Sequence, residues 1–498
     1  MRTHDGILPL TLAVVCAALG YSQPTTLTIL HTNDMHAAFV PHEALWVRGE
    51  SKPLVGGFKE LSFAVDSIRK RNSPVLLLDA GDVMTGNPIT ELAYGGAQGG
   101  ALFEMMNRIG YDAWCPGNHD FDISQANLVL LTAMAKFPTL SANLVNEKNQ
   151  YPVGNRPRMV FEKNGLTIGV IGVMSQELYG LVNQNNLVGI RVLSPVETTQ
   201  KWVNQLRGKT QVLIALTHEG FDEDSVLAAK TRGLDVIIGG HSHTRLKKPR
   251  VVNGVLIVQT GSNCENLGVL NLTIDSGRIV SYDGSLLPLW YRADRPSTPL
   301  SEFVDSVQHE IDRDYSEVLA TLKLDWVRGQ GESSIGNFIT DAQREAAGAE
   351  VGFMNTHGIR TNVPAGPLTK RRLFEVLPFR NVLTTFQLSG AQLRDAMHHS
   401  LARGTGILTS GISCRWKKSA GRDIEILSLE VNGKPVEDER MYRCAASDFL
   451  VGEAKRYLGI EILQPIFLKQ TVFEAVEKEV RKAGVIAPAL ERRVIEVK

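Results

Sequence analysis

Aspartate, asparagine and histidine recur through the first half of the chain as Asp34-x-His36, Asp82, Asn118-His119, His218 and His241-x-His243. Carboxylate, amide and imidazole donors, with no cysteine among them, suit hard or borderline divalent cations such as manganese, zinc, magnesium or iron. The set divides well if Asp82 bridges two ions, with Asp34, His36 and His243 completing one side and Asn118, His218 and His241 the other. Two ions about 3.5 to 4 Å apart can activate a water, orient a phosphoryl group and screen its charge. The chemistry expected is therefore metal-assisted hydrolysis of a phosphoester.

Such ligands need rigid supports, and each group follows a short apolar run that reads as a buried strand. Leu27 to Leu30 precedes Asp34, Val75 to Leu78 precedes Asp82, and Ala113 to Cys115 precedes Asn118. Val212 to Leu216 then precedes His218, and Val236 to Ile238 precedes the Gly239-Gly240-His241-Ser242-His243 run. Apolar runs bounded by glycine or polar residues, alternating with helical patterns, predict a layered α/β architecture. In such folds ligands gather where loops converge beyond the carboxyl ends of the strands.

The runs Leu30-His31-Thr32-Asn33-Asp34-Met35-His36, Asp79-Ala80-Gly81-Asp82, Gly117-Asn118-His119-Asp120-Phe121-Asp122 and Gly240-His241-Ser242-His243 resemble the calcineurin-like metallophosphoesterases of the 5'-nucleotidase family. The resemblance implies an N-terminal layered β-sandwich with flanking helices and a C-terminal α/β substrate-binding domain. It also implies a catalytic dyad, His119 contacting the phosphate and assisting the leaving group while Asp122 orients it, with Asn118 beside them. An imidazole held in one tautomer by a carboxylate can deliver a proton near neutral pH. Asp120 competes with Asp122 for that role, and the family pattern favours Asp122.

The similarity continues through Gly336-Asn337-Phe338, Asn355-Thr356-His357-Gly358-Ile359-Arg360 and Leu377-Pro378-Phe379-Arg380-Asn381. It implies that Asn355 and Arg360 hold polar groups of the substrate and that Phe379 stacks on a base. A second stacking aromatic falls on Tyr457, and Arg328 stands for an upstream arginine with shifted spacing. The sequence departs from the family at Glu453 to Arg456, which replaces a glycine-rich turn, and at His357 and Arg380, where glycine is usual. Base recognition is therefore less firmly implied than catalysis.

The chain has 498 residues, 43% of them apolar and 21% charged, which suits a globular protein of two domains. Lysine plus arginine, 53, equals aspartate plus glutamate, 53. That balance leaves no global basic field for a polymeric nucleic acid, whereas a small anionic substrate needs only local charge, and the resemblance implies that this substrate is a small nucleotide. Arg2, the apolar run from Ile7 to Leu19 and the small residues up to Ser22 predict a signal peptide over 1–22, too short to span a bilayer comfortably. The charged end from Glu491 to Lys498 lacks an apolar tail for a lipid anchor. An exported protein, periplasmic or secreted and without a stable membrane anchor, is expected.

Domain divisions are expected at 25–292 for the catalytic domain, 293–317 for a polar, proline-interrupted linker and connecting helix, and 318–498 for the substrate-binding domain. Leu300, Phe303, Val304, Val307 and Ile311 give that helix one apolar face. Cys115, Cys264, Cys414 and Cys444 would remain after export, which permits a Cys414 to Cys444 bridge. Cys115 reads as a buried thiol, and His42, His309, His398 and His399 as structural or surface groups. The function expected is hydrolysis of 5'-nucleotides to nucleosides and phosphate. Alternatives are 2',3'-cyclic nucleotides or UDP-sugars, a sulfur ester on a carrier protein, or a non-catalytic exported binding protein.

Overall fold

A computed structural model describes residues 24–48, 52–72, 74–329, 331–418, 424–487 and 489–497, so the expected leader over 1–22 lies outside the described residues. The N-terminal unit is a sandwich of two sheets. One runs Arg278–Pro288, Asn266–Asp275, Thr25–Thr32, Val75–Asp79, Ala113–Trp114, and the other Arg250–Val252, Val255–Val258, Val236–Ile238, Val212–His218, Leu166–Met174, Arg158–Lys163. Thr25–Thr32, Val75–Asp79 and Ala113–Trp114 are mutually parallel, as are Leu166–Met174, Val212–His218 and Val236–Ile238.

The continuous apolar character of these strands has a direct cause, since both faces of each sheet are covered. Successive side chains of a strand point to opposite faces. Leu76 and Leu78 accordingly enter the core between the sheets, with Ile214 and Leu216 from the other layer, while Leu77 enters the core under the helices. Helices Phe58–Arg69, Gly100–Ile109 and Gln125–Met134 cover the first sheet through Phe58, Leu61, Leu102, Met106 and Leu128. Pro195–Leu206 and Phe221–Lys230 cover the second through Val203, Leu206 and Leu227.

The polar stretch after Trp290 is fastened to this unit. The buried Glu60 carboxylate accepts hydrogen bonds from the Arg292 backbone N–H and from Arg295 Nε, each at 3.1 Å. Helix Pro299–Tyr315 follows, started by the Thr298 hydroxyl accepting from the Ser301 N–H at 3.1 Å with proline at its first position. Its face of Leu300, Val304, Val307 and Ile311 is buried in the same core as the helices over the first sheet. The connecting helix thus belongs physically to the N-terminal unit.

The C-terminal unit is built on a five-stranded sheet ordered Ile407–Ser410, Val351–Asn355, Met441–Ser447, Val382–Ser389, Ile466–Thr471. Alternation again sets its two cores: Ala445 packs on the side of helices Ser334–Ala346 and Val472–Ala483, and Cys444 and Ala446 on the side of Gly390–Arg403. The two units together form the α/β architecture that the sequence leads one to expect. Cys115, Cys264, Cys414 and Cys444 are all free, buried thiols, so Cys414 and Cys444 form no bridge. They lie in separate sheets, Ile412–Lys418 and Met441–Ser447, each packed as a small apolar group in a common core. Among the described residues no helix is long and apolar enough to cross a membrane.

Candidate active site

The parallel strands of both sheets deliver their carboxyl ends to one edge of the sandwich, and the chain there turns sharply. Asp34 (φ 50°), His36 (φ 46°), Asp82 (φ 56°), His241 (φ 76°) and His243 (φ 53°) all adopt the left-handed backbone conformation, uncommon for residues with a Cβ. Strain of this kind persists only where the surroundings over-determine it. Here the loops are laced backbone to backbone, Asp34 N–H to the Gly81 carbonyl (2.8 Å), His36 N–H to Asp82 (2.9 Å) and Ala37 N–H to Val83 (2.8 Å). Gly117 is required by close approach, because a Cβ there would stand 2.2 Å from Asp82 Oδ1.

Two groups of donor atoms result. Asp34, His36 and His243 converge within 4.8 Å of one another, and so do Asp82, His218 and His241. Asp82 Oδ2 lies 3.2 Å from His218 Nε2 and 3.9 Å from His36 Nε2, which places one carboxylate oxygen between the groups. Asn118 Oδ1 stands 3.2 Å from His218 Nε2 and joins the second group. Nδ1 of His218 faces the Ala80 carbonyl at 2.7 Å and Nδ1 of His36 the Thr85 carbonyl at 3.1 Å. Each carbonyl accepts a hydrogen bond from Nδ1–H and so leaves Nε2 as the nitrogen turned toward the donor groups, the usual arrangement behind a metal-binding imidazole.

The donor set fits divalent cations on its own chemistry. His36 Nε2 and His243 Nε2 approach to 2.9 Å, with the buried Asp34 and Asp82 carboxylates beside them. Burial, opposed by His218 and reinforced by Asp82, pushes the Asp34 carboxyl up to about 7. Burial and then the adjacent His243 hold His36 well below the ordinary imidazole value, keeping it neutral. Converging lone pairs and crowded carboxylates in a desolvated pocket are what a pair of cations would neutralise.

Beside this centre His119 Nδ1 lies 2.7 Å from Asp122 Oδ2, which also accepts from the Thr85 hydroxyl at 2.7 Å. Burial disfavours the His119 imidazolium, but Asp122 and Asp82 outweigh it and raise its pKa above the ordinary value. Asp120 is elsewhere: its carboxylate faces the backbone of the Asp82 loop. Of the two candidate partners, Asp122 is the one that touches the imidazole. Thr85 is a residue that sequence reasoning missed, since an isolated threonine carries no spacing signal.

The C-terminal unit closes a cavity of about 1220 Å³ over these groups, lined by Asp82, His119, His243, Arg328, Asn355, His357, Arg360, Phe379, Phe449 and Tyr457 among others. Arg360, half-buried, reaches 3.5 Å from His36 Nε2 and sits 5.8 Å over the Phe379 ring. The Arg328 side chain donates to the Arg360 carbonyl at 2.6 Å and so braces that segment. Asn355 is buried with its Oδ1 unpartnered. The expected second aromatic divides between two residues. The run that replaces the glycine-rich turn folds as the short helix Ala454–Leu458, which packs Tyr457 into the core at 9% exposure, whereas Phe449 keeps a half-buried ring on the cavity. Its signal in the sequence was the aromatic directly after Asp448. His42, expected to be structural or on the surface, also lines the cavity.

Arg380 spans the seam and pairs with Glu91 of the N-terminal unit through Nε at 2.9 Å and through Nη2. Further contacts across the seam join Asn183 Nδ2 to Asp448 Oδ2 (3.1 Å) and Arg456 Nη1 to the Gly180 carbonyl (3.1 Å).

A sandwich carrying two cation-binding groups, capped by a second α/β unit that walls the same cavity, defines a metal-dependent phosphoester hydrolase of the two-domain kind. Residues 27–245 match the calcineurin-like phosphoesterase family and residues 318–459 the 5'-nucleotidase C-terminal domain family. The chain belongs to the 5'-nucleotidase family of calcineurin-like metallophosphoesterases, enzymes that use two divalent metal ions. It is 28% identical to a 5'-nucleotidase of Diplobatis ommata over 97% of this chain and 92% of that protein. It is 27% identical over 95% of its length to the trifunctional nucleotide phosphoesterase protein YfkN of Bacillus subtilis, of whose length it spans only 35%. The crystal structure of a 5'-nucleotidase precursor from Thermus thermophilus superposes with a TM-score of 0.85 at 28% identity, covering 95% of this chain and all of that one.

Proposed function

We propose that this protein is an exported phosphohydrolase that cleaves 5'-nucleotides to nucleosides and phosphate. The observation that carries the reading is the meeting in one cavity of both donor groups, the His119–Asp122 pair and the half-buried rings Phe379 and Phe449. Phosphate chemistry and a flat apolar recognition surface are thereby joined across the seam. The names of the Diplobatis ommata and Thermus thermophilus relatives point the same way.

Asp34, His36 and His243 would hold one ion, Asn118, His218 and His241 the other, and Asp82 both. When bound, the pair supplies charge neutralisation for the phosphoryl group and activation of the attacking water. Arg360 offers a guanidinium to the phosphate oxygens, a planar fork matched to that geometry. His119, its Nδ1 proton held by Asp122, presents Nε2 to the cleft and delivers a proton to the departing 5' oxygen. Asn355, whose Oδ1 lacks a partner, is placed to accept a hydrogen bond from the substrate, with Arg328 behind Arg360. Phe379 and Phe449 offer aromatic faces to the base, and Tyr457 supports Phe449 from 6.2 Å.

The cavity exceeds what a single small ligand commonly occupies, roughly 300 to 1,000 Å³, which leaves room for the larger UDP-sugars as second substrates, while 2',3'-cyclic nucleotides, no larger than AMP, stay as an alternative that its size does not decide. The deciding experiment is phosphate release from AMP, UDP-glucose, a 2',3'-cyclic nucleotide and p-nitrophenyl phosphate by metal-stripped protein resupplied with manganese, zinc, magnesium or calcium. Metal-restored turnover of AMP supports the proposal. Turnover of the aryl ester alone removes the nucleotide reading, and no turnover at all favours a binding protein. Fractionation of expressing cells, with the protein found outside the cytoplasm, tests the export.

A further inference from the structure

We propose that Asp120 is a positioning residue that sets the geometry of the metal centre by pinning the loop of Asp82 to the loop of Asn118. Its side chain is buried, at 1% exposure, and makes no contact with the His119 imidazole that would compete with Asp122. Both carboxylate oxygens are engaged by backbone. Oδ1 accepts from the N–H of Val83 (3.1 Å) and Met84 (3.0 Å), and Oδ2 from the N–H of Asp82 (3.0 Å) and Gly117 (2.7 Å).

Those donors belong to the two loops that deliver the bridging carboxylate and the amide ligand. Around the left-handed Asp82 the chain cannot continue the parallel ladder of Val75–Asp79 and Ala113–Trp114, so its N–H groups need another acceptor. Asp120 supplies one. The clamp is reciprocal, because the His119 backbone N–H donates to Asp82 Oδ1 at 2.8 Å while Asp120 accepts from the Asp82 backbone. Gly117 lets the two loops approach this closely, since a Cβ there would stand 2.2 Å from Asp82 Oδ1. Fixing both loops fixes the separation of Asp82 Oδ2 and Asn118 Oδ1, each within 3.2 Å of His218 Nε2. An asparagine at 120 would keep the volume but turn an N–H₂ donor toward backbone N–H groups, leaving buried donors unpaired.

The inference rests on the reading of Asp82 and Asn118 as metal ligands, and the test separates the two claims. Metal-stripped wild type, Asp120→Asn and Asp82→Ala are titrated with manganese by calorimetry, with circular dichroism confirming that each is folded. Loss of an outer-sphere partner commonly weakens metal affinity about 10- to 100-fold, and that loss is expected for Asp120→Asn. Its KM for AMP should stay unchanged while kcat falls, because the C-terminal contacts are untouched. Wild-type manganese affinity in Asp120→Asn, with Asp82→Ala weakened, overturns the positioning role alone. Wild-type binding by Asp82→Ala overturns the ligand reading instead. If Asp120→Asn does not fold, Asp120→Glu takes its place: weakened manganese binding by a folded protein supports the role, and undiminished binding overturns it.

Discussion

The imidazole of His119 and the ring of Phe379 come from different structural units and lie 5.6 Å apart, inclined by 32°. The group proposed to face the leaving oxygen and the group proposed to face the base are therefore neighbours across the seam. A nucleoside 5'-phosphate would have to occupy both at once.

Replacing His119 with alanine should lower kcat for AMP about 100- to 10,000-fold, the range for loss of a general acid, with metal content unchanged. The loss should be smaller for p-nitrophenyl phosphate, whose leaving group needs little protonation. Steady-state rates on the two substrates, beside metal analysis of the purified variant, check this. An equal loss on both would remove the proton-donor role.

Phe379→Ala should raise KM for AMP while leaving turnover of p-nitrophenyl phosphate unaltered. Stacking of a base on an aromatic ring contributes about 1 to 3 kcal/mol, and each 1.4 kcal/mol is about tenfold in affinity. The same comparison made with Phe449→Ala and Tyr457→Ala shows which of those rings meets the base. The exposures place Phe449 ahead of Tyr457.

Removing metal should destabilise the fold, because the buried Asp34 and Asp82 carboxylates and the converging His36 and His243 lose the charge that balances them. Resupplying a cation at 100 times its dissociation constant should restore about 2.7 kcal/mol per site by linkage. Thermal melts with and without chelator read this directly, and a melting temperature insensitive to metal would count against two buried cation sites.

Glu375 gives a pH signature separate from catalysis. Burial, opposed by Arg371, His42 and Arg372, pushes its carboxyl up to about 7, and it meets Asn87 across the seam at 3.4 Å. A folded-state pKa above the unfolded value means that the folded protein holds a proton the unfolded chain has released. The stabilisation is complete below about pH 4.5 and is lost as pH rises through about 7. Melting temperatures of wild type and Glu375→Gln should therefore diverge over that interval, the variant lacking this fall.

The strands and the ligand clusters were legible because each is encoded locally. An apolar run covered on both faces announces a strand, and a donor residue just beyond it announces its own position, as at Val75–Asp79 and Asp82. Choosing Asp122 over Asp120 needed the family pattern, since both are close to His119 in sequence and only the fold shows which carboxylate is consumed by backbone. The resemblance placed the second aromatic on Tyr457 and passed over Phe449, because the exposure of the two depends on a helical turn where glycines were expected. The partner of Arg380 is Glu91, too distant in sequence for any pattern to join them. Whether Cys414 and Cys444 pair was open in the sequence for a related reason, since membership of one domain does not bring two thiols together, and both are free.

The docking of Pro299–Tyr315 on the N-terminal core bears on how the chain can be divided. A fragment cut near residue 292 would bare Leu300's binding groove and strip Phe58, Met105 and their neighbours of cover, inviting aggregation. A fragment ending at Ser316 would keep its own lid, and only Glu317 then precedes the strand Val318–Leu322 of the other half. The covalent link between the helix and that strand is thus Ser316 and Glu317 alone, too short to act as a tether.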